Sequence, residues 1–261
     1  MRTAFVTYLG SDNFLSGVMA LHRSLKEHKN KTDLLVLVGE SVSGAVNGFL
    51  ESKKILTRRI EHIKNPYDLD QDVRGRKHMY GKIRLFGLEE FNTLVYLDAD
   101  MIVCDNIENL FDKPHMSAVV AGNLLPENRG WIDFNSGLMV IKPEQDLFND
   151  MMRSISTVHS PDKTDQGFLN AYYREWKVEP VLHLDQRYNV PADYLDRYCS
   201  LFDFKFTYEG GVLYVKNISV IHYWGNTKPW DMDAAQDPQT TLGSKHKQSL
   251  KLWQDYFYRS M

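Results

Sequence analysis

Two carboxylates, Asp98 and Asp100, flank a small residue, Ala99, where the apolar run Leu94-Val95-Tyr96-Leu97 ends. Paired oxygen donors suit a hard divalent cation, and a small residue between them leaves room for a bulky ligand. The run is rich in β-branched and aromatic residues and resumes as Met101-Ile102-Val103, the pattern of a buried strand. On extended chain, positions i and i+2 project to the same side, so strand alternation is expected to aim both aspartates at one partner. Ligands of open α/β sheets collect beyond the carboxyl ends of strands, and the stretch predicts a metal site holding a phosphorylated ligand. Read blandly, the same two acids are a solvated loop. A second stretch decides between the readings: Ile221-His222-Tyr223-Trp224-Gly225-Asn226-Thr227-Lys228-Pro229-Trp230. His222 closes a predicted strand over 218–221 and offers a nitrogen to the same ion. Gly225 allows backbone to approach a ligand closely, and Lys228 is placed to meet phosphate charge.

The elements that must position these residues follow from periodicity. Strands are expected over 4–9, 34–38 and, more weakly, 57–63, with helices over 14–29 and 42–54 between them. This β-α-β-α-β opening is what a nucleotide-binding half-domain looks like. Residues 65–77 are polar and basic and read as a loop. Helical spacing resumes over 78–91, carrying Lys82 and Arg84. Further strands are expected over 114–121 and 138–141, with a loop between them that ends in Asp133-Phe134-Asn135-Ser136-Gly137. Helices follow over 146–159 and 165–176, the second entered through Asp165-Gln166-Gly167. Asp165 also reads as the N-cap of that helix. Beyond about residue 180 the chain is more aromatic and less regular, and it ends on a helix with an apolar face over 250–258. No repeat or linker divides the 261 residues, so a single domain is expected, with a nucleotide-binding half over 1–105 and a second half over 106–261.

Composition narrows the function. A net charge of −3 argues against a general nucleic-acid binder, which would carry a basic surplus. Two cysteines, Cys104 and Cys199, are too few for a disulfide scaffold and read as buried free thiols of a reducing compartment. No stretch resembles a signal peptide or a bilayer-spanning helix, and a cytoplasmic location is expected.

Taken together, Asp98-Ala99-Asp100, Asn135-Ser136-Gly137, Asp165-Gln166-Gly167 and His222 to Trp230 occur in an order and spacing that resemble the glycogenin-like family-8 retaining glycosyltransferases. That family includes galactinol synthases and bacterial sugar transferases. The opening Ala4-Phe5-Val6-Thr7 and the pair Tyr188-Asn189 are similar too, so the resemblance covers nearly the whole chain. It implies an α/β GT-A fold: a Rossmann-like nucleotide-binding half on a mixed central sheet flanked by helices. It also implies a Mn²⁺ cofactor, with Mg²⁺ as the alternative, and a UDP-sugar donor, with glucose or galactose as the hexose.

Carried over by position, the resemblance puts Asp98, Asp100 and His222 on the metal and Gly225 and Lys228 on the diphosphate. Thr7, Tyr8, Leu9, Asp12 and Phe14 take the uridine. Lys82 reaches toward the donor, joined by Arg74 or Arg76. Asp133, Asn135 and Ser136 lie against the donor sugar, and Asp165 and Gln166 near its anomeric carbon. Retention could proceed by double displacement through a carboxylate or by front-face attack, and both stay open. The partners implied are a UDP-hexose, a small-molecule or glycan acceptor and, by analogy with glycogenin-like proteins, a second copy of the chain. Glycogenin glucosylates its own tyrosine, but the corresponding offset from Tyr188 lands on Asp196, which favours a separate acceptor. Competing readings are a self-glucosylating protein, a non-catalytic nucleotide-sugar binder, and a sugar nucleotidyltransferase. The last would normally carry a Gly-rich basic loop, and Tyr8-Leu9-Gly10-Ser11 is not one.

Overall fold

A computed structural model describes residues 2–67, 78–121, 124–225, 228–231 and 243–261. The strands among them are β1 (Thr3–Leu9), β2 (Leu34–Val38), β3 (Leu56–Arg59), β4 (Thr93–Leu97), β5 (Met101–Val103), β6 (Ser117–Val120), β7 (Phe134–Ile141), β8 (His183–Leu184), β9 (Val190–Pro191), β10 (Lys205–Glu209), β11 (Val212–Lys216) and β12 (Val220–His222). The α-helices are α1 (Leu15–Glu27), α2 (Gly44–Ser52), α3 (Gln145–Ser154), α4 (Asp165–Tyr172), α5 (Leu195–Leu201) and α6 (Ser244–Tyr258). The chain forms two compact units, neither contiguous in sequence.

The first unit takes residues up to Asn13, Thr32–Leu97 and Asn109–Leu184. Its sheet runs β3-β2-β1-β4-β7-β6-β8. The first four strands in that order are parallel. β7 then runs antiparallel to β4 and to β6, which makes the sheet mixed. β2, β4 and β7 are buried along their whole length, which is why they read as continuous apolar runs rather than alternating ones. One face packs on Tyr80, Phe86, Phe134, Phe168 and Trp176, the rings that exclude water from the core.

The second unit comprises Phe14–Lys31, Asp98–Glu108 and Asp185–Met261. It holds a three-stranded sheet ordered β5-β12-β9 and the hairpin β10–β11. Helices α1, α5 and α6 complete it, with Trp253 and Tyr256 of α6 buried.

Several elements differ from expectation for identifiable reasons. The third strand stops at Arg59 instead of reaching 63. The segment expected as a helix over 78–91 is a 3-10 turn run, Met79–Gly87. Gly81 and Gly87 weaken an α-helix there, and a Cβ at Gly81 would overlap the Tyr8 ring. β7 begins at Phe134, so Asn135, Ser136 and Gly137 belong to a strand and not to the preceding loop. Helix α4 ends at Tyr172 and gives way to a 3-10 turn over Arg174–Val178. Cys104 is buried as expected, Cys199 is half-buried, and both are free.

Candidate functional site

The second unit gathers the metal-ligand candidates. Asp98 and Asp100 are not on extended chain, as strand alternation required. They straddle a turn between β4 and β5, closed by Met101 N–H donating to the Asp98 carbonyl (3.2 Å). The turn leaves one oxygen of each carboxylate within 4.8 Å of the other. Helix α1 backs it: a Cβ at Gly17 would overlap the Ala99 carbonyl oxygen and come within 2.8 Å of the Trp230 ring. β12 lies antiparallel to β5 in a register that pairs His222 with Met101, one residue from Asp100. Tyr223 N–H then donates to the Asp100 carbonyl (2.9 Å), pinning the two strand ends.

One donor atom each from Asp98, Asp100 and His222 falls within a 4.8 Å span. His222 Nε2 lies 3.3 Å from Asp100 Oδ1 and 3.9 Å from Asp98 Oδ2. Lys228 Nζ donates to Asp100 Oδ2 (2.6 Å) and to the Tyr223 carbonyl (2.9 Å). Burial by itself would raise the pKa of Asp100, but His222 and Lys228 outweigh it and hold the group well below the usual carboxylate range. Two carboxylates, an imidazole and an ammonium already drawn to one carboxylate oxygen make a set that fits a divalent cation of the Mn²⁺ or Mg²⁺ kind.

The other expected residues of this unit lie close in sequence or space. Ala99 is buried in the turn. Gly225 faces the Asp193 carboxylate, and a Cβ there would stand 2.9 Å from Asp193 Oδ2. Phe14 precedes α1 and meets Trp230 edge-on at 5.4 Å.

The first unit holds a second cluster. Lys82 Nζ pairs with Asp165 Oδ2 (2.9 Å), and Ser136 Oγ donates to the same oxygen (2.9 Å). Lys82 also reaches Ser136 Oγ (3.4 Å), and its ammonium sits 5.0 Å from the centre of the Tyr96 ring. Ser136 N–H donates to Gln166 Oε1 (3.0 Å). The cap of α4 is Thr164, whose hydroxyl accepts from Gly167 N–H. Asp165 is therefore not the cap, and its carboxylate serves Lys82 and Ser136. Asp133 and Asn135 flank the cluster in sequence. Asp133 accepts from the Trp131 indole N–H (3.3 Å), and Asn135 Oδ1 accepts from Gly137 N–H (2.9 Å).

Of the residues expected near uridine, Thr7 and Leu9 are fully buried in β1. Tyr8 is half-buried against Gly39 and Gly81, where a Cβ would crowd its hydroxyl or overlap its ring, and beside Gly10, where a Cβ would stand 3.2 Å from the ring. Asp12 is exposed and accepts from Ser43 N–H (2.9 Å). Arg74 and Arg76 lie outside the described residues.

Sequence reasoning missed two supports, Gly17 and Asn170, and gave a third, Asn189, no role. Gly17 gives the turn over Asp98 to Asp100 its seat, and a glycine inside an amphipathic helix was the available signal. Asn170 on α4 clamps β7: its Oδ1 accepts from Phe134 N–H, while its Nδ2 donates to the carbonyls of Phe134 and Gln166, each at 3.0 Å. It stands one helical turn after Gln166, a spacing visible in the sequence. Asn189 accepts from the His222 ring and is taken up below.

Comparison with known proteins places the chain in a family. The sequence model of glycosyl transferase family 8 matches residues 5–234. Inositol phosphorylceramide glucuronosyltransferase 1 of Arabidopsis thaliana is 32% identical over 245 residues, covering 88% of this chain and 43% of that protein. Glycogenin-1 of Mus musculus is 28% identical over 267 residues, covering 97% of this chain and 75% of that protein. The chain thus spans less than half the length of the plant relative. Among solved structures, an active-site mutant of LgtC superposes with a TM-score of 0.67 at 16% identity, over 99% of this chain and 96% of that one. The galactosyltransferase LgtC in complex with donor and acceptor sugar analogs gives 0.62 at 15% identity, with the same coverage. These likenesses are of fold, and the mixed sheet with its flanking helices is the GT-A fold. By the match to the family model, which spans most of its length, the chain belongs to glycosyl transferase family 8.

Proposed function

We propose that the chain transfers a hexose, glucose or galactose, from a UDP-sugar to a hydroxyl of a small-molecule or glycan acceptor, with retention and in dependence on Mn²⁺. The observation that carries the reading is the Asp98, Asp100 and His222 cluster with Lys228 beside it. When bound there, a divalent cation would stabilise the charge that builds on a departing diphosphate. Lys228 would then exchange Asp100 for a phosphate oxygen. Uridine is assigned to the Tyr8, Asp12 and Phe14 region, with Arg74 or Arg76 as a further donor contact, and the sugar to Asp133, Asn135 and Ser136. We read the whole chain as one GT-A domain.

The second cluster favours front-face attack. Asp165 Oδ2 accepts from both an ammonium and a hydroxyl, and an oxygen so engaged is a poor nucleophile. In our reading Asp165 orients Lys82 and Ser136, and Gln166 holds the strand that carries them. The acceptor oxygen bonds to the anomeric carbon as the bond to the phosphate oxygen breaks, and that phosphate takes the acceptor's proton. Lys82 is charge-balanced by Asp165, so a neutral hexose suits the cluster better than a hexuronate. The similarity to a glucuronosyltransferase makes UDP-glucuronate the informative competitor.

Calorimetric titration of UDP with Mn²⁺ or with EDTA tests the site, and UDP release from UDP-glucose, UDP-galactose and UDP-glucuronate tests the donor. Metal-dependent UDP binding with turnover of a neutral hexose is expected. UDP binding indifferent to EDTA would contradict the metal assignment, and preference for the glucuronate would contradict the charge argument. Self-glycosylation at the position expected from glycogenin is disfavoured, because Asp196 caps α6 by accepting from Lys245 N–H and His246 N–H.

A further inference from the structure

An imidazole can hold a metal through Nε2 only if its proton resides on Nδ1, and that proton needs an acceptor. His222 Nδ1 lies 3.0 Å from Asn189 Oδ1, and both residues are buried. We propose that Asn189 is a positioning residue of the metal centre, fixing His222 as the Nδ1–H tautomer so that Nε2 stays open to a divalent cation beside Asp98 and Asp100. The proposal rests on the metal reading above and adds a residue to which no role has been assigned.

The acceptor is held in place by the same sheet that delivers the ligands. Asn189 immediately precedes β9, which pairs with β12 in a register that sets Pro191 against His222. The turn before it is tied down twice through Arg187. Its Nε donates to Ser219 Oγ (2.7 Å) and its Nη2 pairs with Asp105 Oδ2 (2.5 Å), while Ser219 N–H donates to the Arg187 carbonyl (2.8 Å). Asp105 follows β5 and Ser219 precedes β12, so Arg187 couples Asn189 to the strand that ends on His222 and to the strand that follows the Asp98 to Asp100 turn. Asn189 N–H donates to the Gln186 carbonyl (3.1 Å), which fixes its backbone. The ring is thus held from the side opposite the aspartates. An asparagine suits this task because it accepts without adding a third negative charge to a site that already has two.

The test is calorimetric titration of Mn²⁺ into the full chain and into Asn189→Leu, Asn189→Asp and His222→Ala, with metal-free melting points measured alongside. Leucine matches the asparagine in size but cannot accept, and it is expected to weaken Mn²⁺ about 10–100-fold. Aspartate keeps the acceptor and is expected to bind as tightly as the parent. Should Asn189→Leu fail to fold, Asn189→Ser, whose short hydroxyl falls away from Nδ1, takes its place. A purely structural asparagine would lower melting points and leave the metal affinity of the folded variants unmoved, and that result would overturn the proposal. So would an aspartate variant as weak as the leucine one. A parent chain that binds no Mn²⁺, indistinguishable from His222→Ala, would instead remove the metal reading, and the proposal with it.

Discussion

At the residue scale, Asp100 and Lys82 carry the account, and they fail in different ways when changed. Asp100→Asn keeps the shape of the turn but halves the acidic ligand set. Activity is expected to fall by on the order of 10²–10³-fold, as for loss of one transition-state stabilising group, with the circular dichroism spectrum unchanged. Lys82→Met strands the buried Asp165 carboxylate, and breaking a buried pair from one side costs about 3–5 kcal/mol. Urea denaturation should show that loss. Adding Asp165→Leu should recover most of the stability while transfer stays lost, because the proposed role of the pair is in the reaction and not in the fold. A double variant as unstable as the single one would contradict this division. The sequence made both residues visible, but not their pairing: Lys82 and Asp165 are 83 positions apart, and only the sheet order β4-β7 with α4 against it brings them together.

At the scale of elements, the turn between β4 and β5 and the clamp between α4 and β7 set the geometry. In an exposed helix, Gly17→Ala would gain about 1 kcal/mol of helix propensity. Here the added Cβ meets the Ala99 carbonyl, a backbone atom that cannot swing aside. A net loss of about 1–3 kcal/mol is expected, with weaker Mn²⁺ binding in the folded fraction. Asn170→Leu removes an acceptor from Phe134 N–H and a donor from two carbonyls, and should cost about 1–3 kcal/mol in the same assay. A stabilised Gly17→Ala or a neutral Asn170→Leu would contradict these assignments. The strands at the amino end were legible because β1, β2 and β4 are largely apolar runs. The turn at Asp98 to Asp100 was not, because two strands joined by three residues leave the same apolar pattern as one longer strand. The 3-10 run carrying Lys82 was hidden for a similar reason: apolar spacing alone does not separate it from an α-helix.

For the whole molecule, buried histidines make stability depend on pH. Lys142 N–H donates to His115 Nδ1 (3.0 Å) and His115 Nε2 meets the Tyr173 hydroxyl (3.0 Å), so the ring is bound as a neutral group. Burial, aided by Lys142, pushes its pKa down to about 4. The unfolded chain then binds more protons than the folded one between about pH 6.5 and 4. Stability from this group is complete above that window and falls as pH drops through it, by about 2 kcal/mol between pH 7 and pH 5. His28 and His246 are shifted the same way by burial. Denaturation midpoints at the two pH values check the slope, which His115→Gln should flatten. Among the described residues no helix is long and apolar enough to cross a membrane. The family and its fold were legible because four short motifs fall in order along the chain, whereas the supports that hold those motifs are single glycines and asparagines with no pattern of their own. The most direct test of the account is UDP release from UDP-glucose and UDP-galactose by the intact chain, with Mn²⁺ and then with excess EDTA. Release that stops with EDTA and returns when Mn²⁺ is restored is the predicted result; release at an equal rate under both conditions would contradict it.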